Sequence, residues 1–214
     1  MRNGSDDHTI LDADQLSSLV GETHPLAVRK CRPRLDRHAK DFISRSPFLC
    51  IGTQDADGTA DVSPKGDPVG FVKVIDDNTL AIPDRPGNNR MDSLNNVLSN
   101  PAIGLLFLVP GYDDTLRVNG KARLTTDPSL LAEMEIKGRP PKLAIVVDVE
   151  EVFLHCAKAF KRSRLWSPDA VQDRSEMPTL GKMIMEQTSE APPSEGDISE
   201  ADDAVESDYR DNMY

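Results

Sequence analysis

The chain has 214 residues, 38% of them hydrophobic and 29% charged, with a formal net charge of -11. That length can bury a substantial core in one large or two small soluble domains, and no apolar run approaches the span of a bilayer. The acidity argues against nucleic acid as a main partner, because a phosphate backbone demands a concentrated basic surface.

The charge is uneven. About -8 of it falls in residues 189–214, so the rest of the chain is close to balanced. The opening residues, Met1-Arg2-Asn3-Gly4-Ser5-Asp6-Asp7, carry no apolar export segment, so a cytoplasmic address is expected. Cys31, Cys50 and Cys156 are widely spaced, which suits free thiols in a reducing compartment. No Cys/His spacing matches a zinc, iron–sulfur or haem-attachment motif.

Leu11, Leu16, Leu19 and Val20 recur at helical spacing, with Asp12 or Asp14 near the start. A second helix is predicted over 34–45, with Leu35, Ala39, Phe42 and Ile43 on one face, ended by Ser46-Pro47. The period then changes. Residues 48–53 are a short run of strand formers in which Cys50 reads as core. Asp55-Ala56-Asp57-Gly58 is a turn, and the alternation of 59–63 brings the chain back as a hairpin. Residues 69–75 and 79–82 make a second hairpin around Asp76-Asp77-Asn78, and a helix over 89–98 stops at Asn100-Pro101. The nearly continuous apolar run 103–109 predicts a strand buried on both faces, turned by Pro110-Gly111. Residues 115–124 alternate, and Gly120 among them marks a bulge or bend. A short helix over 127–136, capped by Thr126 or Asp127, leads to a last strand over 143–154.

About seven strands in short hairpin connections favour a small antiparallel barrel over a doubly wound sheet. The fingerprints of the common nucleotide folds are absent. Residues 191–197 read as a linker. Beyond them Ile198, Ala201, Val205 and Tyr209 stand near helical spacing, so the acidic tail is either a docking helix or disordered.

Three stretches can carry chemistry. From Ile82 a strand runs through Pro83-Asp84-Arg85-Pro86-Gly87 into a helix opening on Asn88-Asn89-Arg90. Unpaired N–H groups at a helix start attract anions, Arg90 adds a forked cation, and Ser93 adds a hydroxyl one turn on. The segment is either a cradle for a phosphate monoester or an ordinary Asn-capped surface helix. In Asp61-Val62-Ser63-Pro64-Lys65-Gly66-Asp67, Pro64 and Gly66 let a strand end present backbone groups, and Lys65 can neutralise an electron-rich ligand edge; a plain inter-strand loop reads the same way. From His155 to Trp166 four basic residues precede the only Trp. That segment either grips a phosphorylated aromatic ligand by charge and stacking or simply connects elements, with Trp166 as core. No Ser-His-Asp arrangement and no convincingly placed pair of carboxylates is present.

Together these segments resemble the pyridoxamine phosphate oxidase-like, FMN-binding split-barrel superfamily, and more narrowly a bacterial subgroup described as FMN-dependent enzymes of this class. The match is carried by Asp61 to Asp67, Pro83 to Arg90, Gly104-Leu105-Leu106-Phe107-Leu108-Val109-Pro110-Gly111, Thr115 to Gly120 and His155 to Trp166. The resemblance implies a split-barrel domain over 48–166, an N-terminal helical segment (1–47) packed on it and a helical, acidic extension (167–214). It also implies FMN at a homodimer interface, with a small organic substrate. Val62, Ser63, Pro64 and Lys65 would lie along the ring system, Pro83 and Asp84 against the ribityl chain or ring, and Asn89, Arg90 and Ser93 at the phosphate, with Arg85 nearby. Arg117, Lys158, Arg162 and Trp166 match positions that approach the site from the partner subunit. A cation such as Lys65 at the pyrimidine edge would raise the flavin potential.

The expected activity is electron or hydride transfer between FMN and the substrate, with no side chain required as acid or base. The alternative is a non-catalytic carrier or sensor of flavin, or of haem with His155 or His38 as ligand; a deazaflavin could replace FMN. The motifs depart from those of true pyridoxamine phosphate oxidases, so vitamin B6 oxidation is not implied.

Overall fold

A computed structural model describes residues 8–214. At the N-terminal end, α1 (Ala13–Val20) is capped by the Asp12 side chain, which accepts from the Gln15 N–H. The short α2 (Pro25–Arg29) follows, then α3 (Arg37–Arg45), whose cap Asp36 accepts from the N–H groups of His38 and Ala39. Only α3 of these three buries side chains: Ala39, Phe42 and Ile43. Between α2 and α3, Arg32 exchanges two backbone hydrogen bonds with Val152 and ties the segment to the sheet.

The body is a seven-stranded antiparallel sheet with flanking helices. Its strands are β1 (Phe48–Gln54), β2 (Ala60–Gly66), β3 (Lys73–Val74), β4 (Thr79–Pro83), β5 (Ala102–Leu108), β6 (Thr115–Thr125) and β7 (Ala144–His155), in the spatial order β2-β1-β5-β6-β7-β4-β3. Leu49 and Ile51 of β1 share one buried cluster with Leu80 and Ile82 of β4, although three strands separate β1 from β4. The sheet must therefore curl around that core. Each fully buried Leu or Ile contributes about 1.5–3 kcal/mol, so this cluster dominates the stability.

Helix α4 (Asp92–Ser99) packs on β1 and β2 by burying Ser93 and Val97, and Asn96 Nδ2 donates to Thr53 Oγ1 at 3.0 Å. On the opposite side, α5 (Pro128–Ala132) and the turn after it place Leu131 and Met134 over Ala81, Ala144 and Val146. After α6 (Lys158–Ser163) come the tail helices α7 (Leu180–Thr188) and α8 (Glu195–Asp211). The acidic tail is thus one helix, α8, packed on α7, and the expected linker 191–197 ends early because Ser194 and Asp197 form a reciprocal capping box.

Several strand expectations need correction. Strand β3 has two residues rather than seven, since Gly70 at φ +83° turns the chain just before it. Strand β5 is not buried on both faces: Ile103, Leu105 and Phe107 are buried, while Gly104, Leu106 and Leu108 are half-exposed. Residues 144–147 of β7 fill that role, because α5 covers their outer side. Cys50 is half-buried on the outer face. The irregularity expected at Gly120 is present. Asn119 pairs with Glu151 and Gly120 with Val149, so Glu150 has no partner and both Val149 and Val152 stay buried.

Candidate functional site

Two segments that meet beside α4 form a polar cleft of about 360 Å3. One wall is β2, contributing Asp61, Val62, Ser63, Pro64 and Lys65; the other is the loop after β4 and the start of α4, contributing Asp84, Arg85 and Gly87 through Leu94. The β1–β2 register fixes the first wall, with Cys50 opposite Pro64 and Leu49 opposite Lys65. The second wall leaves the sheet at Pro83, which pairs with Ala144.

The cleft's charges come in pairs. Lys65 Nζ donates to Asp84 Oδ1 at 2.8 Å, with both side chains mostly buried. Arg90 Nε donates to Asp92 Oδ2 at 2.7 Å in an exposed pair, and that carboxylate raises the Arg90 pKa. Ser93 is buried and its hydroxyl donates to Asp61 Oδ2 at 2.8 Å, across 32 positions of sequence. Arg85 lines the wall, but its Nε is held by Asp67 and an Nη by the Met134 carbonyl.

The helix start differs from expectation. Helix α4 begins at Asp92, not at Asn89, because Asn89 (φ 55°) and Met91 (φ 60°) take left-handed backbone conformations. The Asn-capped reading fails, since Asn88 Oδ1 accepts from the Arg90 N–H and no side chain caps α4. Among the described helices of eight or more residues, α4 alone starts without a side-chain cap. Its first-turn N–H groups thus open into the cleft's wall with no side chain serving them, which is the condition for holding an anion.

A second cleft, apolar and about 450 Å3, lies on the outer face of β1, β5 and β6. Its floor is flat where Gly52 pairs with Gly104, and Cys50, Leu106, Arg117 and Phe160 surround it. Val62 borders both clefts.

The structure therefore gathers Val62, Ser63, Pro64, Lys65, Asp84, Arg85, Asn89, Arg90 and Ser93 in one place, with Pro83 buried at its base. Arg117 belongs to the second cleft, where its guanidinium lies 5.6 Å from the Phe153 ring centroid. Lys158, Arg162 and Trp166 line neither cleft. Trp166 is exposed rather than core; its Nε1 donates to the Tyr112 carbonyl at 2.8 Å and its ring sits 5.9 Å from Phe160. Sequence alone gives no role to Asp61 or Asp92. A carboxylate two residues after a candidate phosphate arginine was a readable signal for Asp92, whereas nothing local links Asp61 to Ser93. Among the described residues, no helix is long and apolar enough to cross a membrane, and no group of three or more His, Cys, Asp or Glu could hold a metal ion.

A curled seven-stranded antiparallel sheet with flanking helices is the arrangement of a split barrel. The chain belongs to the pyridoxamine 5'-phosphate oxidase family, whose model matches residues 35–156. No curated protein sequence matches it. Solved structures similar to it include HupZ of Group A Streptococcus, at 20% identity over 56% of this chain and 93% of that one, with a TM-score of 0.46. A candidate pyridoxamine 5'-phosphate oxidase from Lactobacillus delbrueckii is 22% identical over 57% and 95% of the two chains, with a TM-score of 0.44. An FMN-binding protein from Syntrophomonas wolfei is 10% identical over 61% and 91%, at 0.42. With TM-scores below 0.5, these likenesses add nothing to the family assignment.

Proposed function

We propose that the protein is an FMN-binding flavoprotein that transfers electrons or hydride between FMN and a small organic substrate, as a homodimer with the cofactor between subunits. The observation that carries this reading is the uncapped start of α4, opening into a cleft that also holds Arg90 and Lys65. A phosphate monoester fits that donor set: backbone N–H groups, the guanidinium nitrogens that Asp92 leaves free, and the Ser93 hydroxyl if it turns from Asp61. The cleft also carries three carboxylates, Asp61, Asp84 and Asp92, so the site binds by exchange. An incoming dianion takes donors that those carboxylates hold in its absence.

When bound, FMN supplies the redox chemistry. The chain's residues bind and orient it. The half-buried Asp61, Ser63 and Lys65 alternate along β2 with the exposed Val62 and Pro64, so the strand presents polar side chains to one side and an apolar surface to the other. Asp84 fixes the Lys65 ammonium and partly cancels its field. A flavin carrier on the same site is the second reading. It is favoured by one observation: Asp84 pairs with Lys65, so the cation that would favour the anionic reduced flavin is already partly neutralised.

The test is an FMN titration of purified protein, followed by absorption and flavin fluorescence. The parent protein is expected to bind in the micromolar range or tighter, and Arg90→Ala to weaken binding roughly 10- to 100-fold, the usual span for a lost charge-assisted contact. Equal dissociation constants for parent and variant would refute the phosphate assignment. Bound flavin reduced no faster than free flavin across many donors would decide for carriage.

A further inference from the structure

Tyr214 lies in the acidic tail but reaches the barrel, where its hydroxyl donates to Asp67 Oδ1 at 3.0 Å. The other oxygen of that carboxylate accepts from Arg85 Nε at 2.6 Å. Arg85 also donates to the Met134 carbonyl at 2.7 Å. The Asp67 side chain is only 1% exposed, so bulk water is no ready substitute for either partner. The phenol ring is flanked by two cations, with Arg85 5.9 Å and Lys137 5.1 Å from its centroid, and Arg139 donates to the Tyr214 backbone oxygen. Burial, then the Asp67 contact, raises the phenol pKa, which keeps the donating proton in place.

Both arms of this junction lead directly into the polar cleft. Asp67 follows the end of β2, the strand that forms one wall. Arg85 follows Asp84, which holds Lys65 and begins the other wall. Tyr214 does not line the cleft itself. Removing it leaves Asp67 Oδ1 without its donor and takes away the aromatic surface beneath Arg85. The Asp67–Arg85 pair, which with Lys65–Asp84 ties the two walls together, then loses one of its supports.

We propose that Tyr214 is a positioning residue for the cleft. By completing the Asp67–Arg85 pair it holds the end of β2 and the 84–91 loop in the arrangement that receives an anionic cofactor. The tail is thereby a structural part of the binding site. The identity of the ligand rests on the flavin reading above; the positioning does not.

The experiment compares full-length parent, Tyr214→Phe and Tyr214→Ala by amide hydrogen exchange without ligand and by FMN titration. Tyr214→Ala is expected to speed exchange in 84–91 about tenfold while amides of β5 and β6 keep the parent rate. Tyr214→Phe, which keeps the ring and loses the hydroxyl, should fall between. FMN affinity should decline in the same order, and by reciprocity FMN should slow proteolysis of the tail in the parent but not in Tyr214→Ala. Unchanged exchange in 84–91 overturns the proposal whatever FMN does. So does a rise of equal size in every strand, which would mean general loosening. Faster loop exchange with no FMN binding, parent included, upholds the positioning role and refutes the flavin reading instead.

Discussion

The phenolic proton of Tyr214 is held by surroundings that disfavour its loss: burial first, then the Asp67 carboxylate, with the Arg85 guanidinium opposing them. The docked residue thus keeps its proton to higher pH than a free tyrosine with its ordinary pKa of 10.0. The docking contribution is complete below that value and is lost as pH rises through the elevated one. Lys137 and Arg139 also face the group, so loss of the proton weakens one bond to Asp67 without expelling the ring at once. An ultraviolet titration should show one of the three tyrosines ionising late, and Tyr214→Phe should remove that component. Three titrating residues at ordinary pH would refute the prediction. At this scale the predicted cations divide, for Arg117 lies in the second cleft and Lys158 and Arg162 line neither. Lys65, Arg85 and Arg90 stand out in Pro- and Gly-punctuated stretches, and all three line the cleft. What could not be read was that each is already paired. Asp67 with Arg85 and Asp61 with Ser93 meet only through the fold, and no local pattern encodes them.

Gly120 shows how an element can hinge on an absent side chain. A Cβ there would stand 2.1 Å from the Asp148 carbonyl oxygen and 3.3 Å from Val147 Cγ1. The obstacle is backbone at the bulge, so it cannot swing aside. Gly120→Ala is expected to lower stability by about 2–3 kcal/mol in urea unfolding and to perturb the β6–β7 amides first. A change under about 0.5 kcal/mol would show that the bulge is adaptable. The glycine inside an alternating strand was a legible sign. Strands β6 and β7 were legible from alternation, and β1 and β5 from short unbroken runs of apolar strand formers. The start of α4 was not. Asn89 and Met91 adopt left-handed backbone, and methionine carries no propensity that would announce it.

At the scale of the whole molecule, the outer face of β1, β5 and β6 carries an apolar surface that faces outward. Leu106 is half-exposed beside the Gly52–Gly104 floor, on the sheet face opposite the main core. The homodimer proposed above would bury this face and so account for a nearly continuous apolar run of which a single chain covers only one side. Leu106→Asp is expected to yield a folded monomer in sedimentation experiments and to weaken FMN binding. A parent that sediments as a monomer would refute this. Composition was a poorer guide at this scale, because the acidity that sets the net charge sits in the tail, whereas the polar cleft balances Asp61, Asp84 and Asp92 against Lys65, Arg85 and Arg90. Strand β2 borders only β1, so its far side is a bare rim of main-chain donors and acceptors. Such rims recruit other polypeptides into fibrils. Pro64, with no amide hydrogen, interrupts this one, and Lys65 sets a charge next to it. Pro64 and Lys65 thus serve the sheet edge as well as the polar cleft that they line.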